Sequence, residues 1–122
     1  MRKILSIFFA VFLVASGILH IVYPEPYAPM IPEFIPEILA NGLSAILELV
    51  IGALLLMPKY RHWGGLGFMM LMIGFLPIHI WDFLKDEPAI GSKTVAAIRI
   101  VIQFLMIYAG LWIWKKKPSV NP

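Results

Sequence analysis

Apolar residues fill four long runs of the chain, Ile4 to Tyr23, Ile38 to Met57, Gly64 to Phe83 and Val95 to Trp114, with short polar or proline-rich stretches between them. Each run is about 20 residues, the length at which a helix crosses a hydrocarbon core about 30 Å thick. The pattern predicts an all-α fold, an integral membrane four-helix bundle. It forms one domain over residues 1–122, with helices near 4–23, 38–57, 64–83 and 95–114. Within the second run, Asn41, Ser44, Glu48 and Gly52 recur at helical spacing and share one face, while Leu, Ile and Val cover the others. A carboxylate at that depth needs partners.

The connections refine the picture. Met1, Arg2 and Lys3 before the first run resemble the start of a signal peptide, but the apolar stretch runs on to Tyr23. Bulky Leu13 and Val14 precede the small residues Ala15 and Gly17, so a retained helix is expected. Its face of Ser6, Ala10, Gly17 and His20 suits close packing against a neighbour. Pro24 to Pro36, PEPYAPMIPEFIP, holds five prolines in thirteen residues and cannot be helical throughout. It is either a stiff spacer or a cap over a cavity, with Met30, Ile31, Phe34 and Ile35 apolar enough to lie at a membrane surface. Pro77, inside the third run, leaves the Ile73 carbonyl without its usual donor and invites a kink beside His79.

Composition agrees with the membrane assignment. Of 122 residues, 61% are hydrophobic and 14% charged, too apolar for a soluble domain of this size. Cysteine is absent, which excludes dithiol chemistry, thiolate-held iron–sulfur clusters and disulfides. The net charge of +3 is a topology signal and not a nucleic-acid signal. Arg2, Lys3, Lys59, Arg61 and Lys115 to Lys117 fall on one side of the bundle, against Lys85 and Lys93 on the other. The positive-inside rule then places both termini in the cytoplasm and the protein in the cell membrane as a multi-pass chain. Trp112, Trp114 and the terminal lysines form an interfacial anchor.

Counting residues gives depth. Glu48 lies near the midplane, Arg99 and Gln103 lie toward the outer end of the fourth helix, and His20 and His79 lie near the outer ends of the first and third. All four helices offer a polar group to the same leaflet. An unpaired charge here costs about 2.5–3.5 kcal/mol even on lenient insertion scales, so a Glu48–Arg99 ion pair with Gln103 bonded to one member is the economical expectation. Such a pair either holds the bundle together or serves a ligand. Gln103 taken alone reads as interhelical glue. His20 and His79 each suit an interfacial or hydrogen-bonded role. His62 belongs to a basic turn, and Met69, Met70 and Met72 are packing residues.

A b-type haem between His20 and His79 is disfavoured, because axial ligation demands a geometry that spacing does not supply, and zinc lacks a third ligand. No cofactor is required by the pattern. A small amphipath with a carbonyl head, a quinone being one candidate, could accept hydrogen bonds from Arg99, Gln103 or His20 while its tail lies along Leu and Ile surfaces.

The order of these elements resembles the DoxX-like family of small four-helix membrane proteins. The resemblance rests on Gly17-Ile18-Leu19-His20, the IPEFIP stretch before Glu37, Gly42 and the Glu48 helix, Met57-Pro58 with Arg61, Pro77-Ile78-His79-Ile80, and Arg99 with Gln103. It covers most of the chain, and its specificity lies in the order of short motifs. It departs at His79, where the family pattern often has asparagine. The resemblance implies a four-helix bundle with His20, Glu48, Arg99 and Gln103 as pattern positions. It also implies association with membrane oxidoreductase assemblies, or a scaffold or assembly-chaperone role in a related branch. The expected function is a non-catalytic or accessory oxidoreductase subunit with an outer-leaflet polar pocket for a quinone-like amphipath. A membrane scaffold without ligand chemistry and a small proton-coupled transporter, the latter requiring a homodimer, are the alternatives. The expected partners are the lipid bilayer and oxidoreductase subunits, membrane-bound or peripheral, with no nucleic acid.

Overall fold

A computed structural model describes residues 1–116. Lys117, assigned above to the terminal basic anchor, lies outside the described residues. Four helices account for most of the described chain: α1 (Arg2–Val22), α2 (Glu37–Leu56), α3 (Arg61–Leu84) and α4 (Lys93–Lys115). A short 3₁₀ segment, Glu25–Met30, sits in the proline-rich connection. All four helices are long and apolar enough to cross a membrane. Their outward faces carry large apolar side chains such as Phe8, Val11, Ile46, Val50, Val101 and Leu105, a surface suited to lipid contact. The predicted helices are all present, with ends displaced by at most three residues. α3 starts earliest relative to expectation, because Arg61 and His62 are wound into its first turn. It continues helical through Pro77.

Local chemistry sets the ends. Pro24 follows α1, Pro36 is the N-cap of α2, and Pro58 stops α2 just after Met57. Glu37 in the first turn of α2 complements the positive end of the helix dipole. Arg61, though it opens α3, donates from Nε to the Leu55 carbonyl at 3.0 Å and from Nη2 to the Leu56 carbonyl at 3.4 Å. It thus satisfies carbonyls that the end of α2 leaves without intrahelical donors. Ser92 caps α4, its Oγ accepting from Val95 N at 3.2 Å.

The helices pack as two hairpins, α1 with α2 and α3 with α4, joined where α2 meets α3. Small residues permit the close crossings. A Cβ added to Gly110 would stand 2.8 Å from Met69 N and 3.0 Å from the Gly65 carbonyl oxygen, so α3 and α4 touch backbone to backbone. Gly17 and Gly52 play the same part between α1 and α2, facing Leu49 and Val14. The tightly packed core lies toward the α2–α3 turn and includes Phe9, Leu13, Leu55, Phe68 and Ile113. Phe9 and Phe68 meet with ring centroids 4.5 Å apart. The opposite half, beneath the proline-rich connection, is less filled and holds the polar groups.

Candidate functional site

A cavity of about 380 Å³ occupies that half, within the size range of small-molecule sites. All four helices and the proline-rich connection line it. The sequence-predicted residues His20, Asn41, Ser44, Glu48, His79, Arg99 and Gln103 all reach its wall. Pro77 does not line it. It sits on α3 between the lining residues Phe75 and Ile78.

The α1–α2 wall holds two hydrogen-bonded pairs. His20 Nδ1 lies 2.8 Å from Asn41 Oδ1, and Ser16 Oγ donates to Glu48 Oε1 at 3.2 Å. His20 Nε2 faces Glu48 Oε2 across 3.8 Å, an ion-pair distance when the ring is protonated but too long for a hydrogen bond. Helical spacing explains the alignment. Ser16 and His20 are one turn apart on α1, and Asn41 and Glu48 two turns apart on α2, so the paired hairpin sets them opposite each other.

The α3–α4 wall is built differently, and it overturns the expected Glu48–Arg99 pair. Arg99 Nη2 instead bonds Asp82 Oδ2 at 2.9 Å. Asp82 is fully buried and also accepts from Ala89 N at 2.7 Å and Ile90 N at 3.4 Å, with Lys85 Nζ 3.6 Å away. The physical reason is depth: Arg99 lies near the start of α4, and its guanidinium reaches outward to the carboxylate at the end of α3, where loop amides share the anion. Gln103 bonds neither charge. Its Nε2 donates to the Met72 carbonyl at 2.7 Å, tying α4 to α3 one residue before the carbonyl that Pro77 deprives of a donor.

Three residues missed by the pattern complete the site. Ser16 was detectable as the residue one turn before His20 on the same face. Asp82 was detectable as the acid closest in depth to Arg99. Tyr27 carries no periodic signal, yet it stacks on His20 with centroids 3.9 Å apart. Met30, Ile31 and Ile35, expected at the membrane surface, turn inward instead and line the cavity, whereas Phe34 stays exposed. Arg99 Nη1 approaches Met30 Sδ at 3.6 Å, and Lys85 Nζ donates to the Pro29 carbonyl at 3.0 Å. The proline-rich segment therefore lies over the cavity as a cap, pinned at both sides.

Some capacity is left over. Glu48 Oε2, His79 Nδ1 and Arg99 Nε are buried polar atoms without a hydrogen-bond partner, each on a residue lining this one cavity. Glu48 on α2, His79 on α3 and Arg99 on α4 thus each line the cavity and each carry one shielded polar atom without a partner, while most of the remaining lining is apolar. Among the described residues, no group of three or more His, Cys, Asp or Glu side chains gathers as a metal site.

No curated protein and no solved structure matches the chain. A family model does match, over residues 9–115, which takes in both walls of the cavity and the cap. The chain belongs to that family, described as Domain of unknown function (DUF8561).

Proposed function

We propose that this chain is a DoxX-like multi-pass protein of the cell membrane that binds a small amphipathic, quinone-like ligand in the capped cavity, as an accessory subunit of a membrane oxidoreductase system. The observation that carries the ligand reading is a capped, largely apolar cavity of about 380 Å³ lined by Glu48, His79 and Arg99, each of which keeps one buried polar atom without a partner. Buried polar atoms without partners are costly, and a ligand head that satisfies them recovers that cost on binding. The apolar remainder of the lining, including Phe12, Phe75, Ile102 and Met106, suits a ring or a prenyl-type tail. Both termini lie on the cytoplasmic side in this reading, supported by the basic residues gathered at the α2–α3 turn and the two chain ends.

Binding of a short-chain ubiquinone analogue to the purified protein in lipid nanodiscs tests the proposal. Saturable binding is expected, weakened by about tenfold or more in His79→Leu, which removes a donor for the quinone carbonyl, and abolished by Ser44→Phe, which fills the cavity from α2. Binding that is unaffected by both changes would place the ligand elsewhere and end this reading.

A further inference from the structure

The cavity has a side as well as a cap and a floor. Toward the α2–α3 turn it ends on Met72 and the packed core behind it, and at the other end it meets the proline-rich segment, where Pro32 is buried and Tyr27 stacks on His20. The close helix contacts of the bundle are α1 with α2, α2 with α3 and α3 with α4, and α1 and α4 have no comparable one. Both of these helices nevertheless line the cavity. Side chains alone close it there.

Phe12 of α1 and Ile102 of α4 stand at that seam. Among the residues lining the cavity they are the two that remain exposed, at 48% and 46%, while every other lining residue is buried or half-buried. A side chain that faces both a cavity and the outside marks a rim. Depth then says what lies beyond it. Phe12 is the middle residue of Arg2–Val22, and Ile102 is two residues from the middle of Lys93–Lys115. At about 1.5 Å of rise per residue the rim lies about 15 Å from either end of α1, near the centre of a hydrocarbon core about 30 Å thick. In a membrane this mouth faces acyl chains.

Size and chemistry narrow what passes. At about 380 Å³ the cavity is near the small end of small-molecule sites, so it holds a compact head and leaves a long tail outside. Phe12 and Ile102 offer no side-chain hydrogen bond, and a head that passes between them has already shed its water. That cost is lowest for an uncharged head with few polar atoms, and it excludes a phosphate or a carboxylate.

We propose that the cavity opens sideways between Phe12 and Ile102, and that its ligand is a bilayer-dissolved amphipath whose uncharged, compact head enters there while its hydrocarbon tail stays among the acyl chains. This rests on the cavity being a ligand site, as argued above.

Two measurements on the full chain in phosphatidylcholine nanodiscs test the mouth, each with empty nanodiscs subtracted. Affinities of the wild type for ubiquinone analogues with one, two and four isoprene units, corrected for partition into the lipid, should agree within about threefold, because the added tail lies outside the protein. A closed cavity would reject the longest by about tenfold or more. Association of the one-unit analogue, followed by stopped flow, should slow about fivefold or more in Ile102→Trp, which narrows the mouth, and quicken in Phe12→Ala, which widens it. Lys85→Met, which loosens the cap, should leave that rate unchanged. Affinity that falls with tail length, or association that follows Lys85→Met and ignores both rim variants, overturns the lateral mouth while leaving a ligand cavity standing. If no analogue binds the wild type, both proposals fall together.

Discussion

Arg99 binds Asp82, not Glu48: the guanidinium Nη2 stands 2.9 Å from a carboxylate that is fully buried and that also receives two amides of the α3–α4 loop. Among the described residues, the arginine–carboxylate pair of the capped half therefore belongs to a single hairpin, and Glu48 is left to the other. Each wall of the cavity thus makes its side-chain hydrogen bonds within its own hairpin.

Arg99→Leu should accordingly act on stability through Asp82. Breaking a buried pair leaves an uncompensated charge, at a cost of about 3–5 kcal/mol. Asp82→Asn, which keeps an acceptor for Ala89 N, should cost less than Asp82→Leu. Thermal unfolding of the purified variants in detergent gives the ranking, and equal losses for the two Asp82 variants would show that the loop amides do not depend on that oxygen.

Gly110→Ala should loosen the α3–α4 crossing, because the new Cβ would meet Met69 backbone at 2.8 Å. Overpacking of this kind costs about 1–3 kcal/mol. Gly74→Ala makes the control: a Cβ there meets nothing within 4 Å, and the gain in helix propensity should leave stability unchanged or raised by up to about 1 kcal/mol. The same unfolding measurement separates them.

Arg61→Met should cost about 1–3 kcal/mol, since the last carbonyls of α2 lose their donors in a buried position. Arg61→Lys, with a point charge in place of a planar fork, should recover only part of that. Hydrogen exchange at the end of α2 would report the loss locally.

The cap can be probed directly, because the native chain has no cysteine to interfere. A Ser44→Cys reporter inside the cavity should be alkylated slowly by a membrane-permeant maleimide. Adding Lys85→Met removes the hydrogen bond to the Pro29 carbonyl. Loss of about 1 kcal/mol of cap contact should speed labelling about fivefold. An unchanged rate would mean that Tyr27 and Met30 hold the cap without Lys85.

The helices were legible because the apolar runs are long and uninterrupted, and the caps at Pro36, Pro58 and Ser92 can be read from residue type alone. The membership of the polar group was legible too, since depth along each helix places His20, Glu48, His79, Arg99 and Gln103 toward one end. Their pairing was not. Depth is a coordinate along one axis, and it carries no information on which helices lie side by side. The shortest connection joins α2 to α3, so loop length does not single out α1 beside α2 and α3 beside α4, and it is that neighbour relation that assigns His20 and Ser16 to Glu48 and Asp82 to Arg99. Tyr27 and the inward turn of Met30 depend on the path of an irregular segment, for which no periodicity exists to read.

The bundle is closely filled at one end and hollow at the other, with the packed core near the α2–α3 turn and the cavity beneath the cap. In mechanical terms this is a pair of tongs. The two hairpins are joined at the core end by Phe9, Phe68 and Leu55, and at the far end the cap bridges them, Tyr27 stacking on His20 of α1 and Met30 meeting Arg99 of α4. Parting the hairpins there would break the contacts of Tyr27 and Met30 while leaving the joint intact. That opening would expose Glu48 from the side, between the hairpins, and not along the bundle axis.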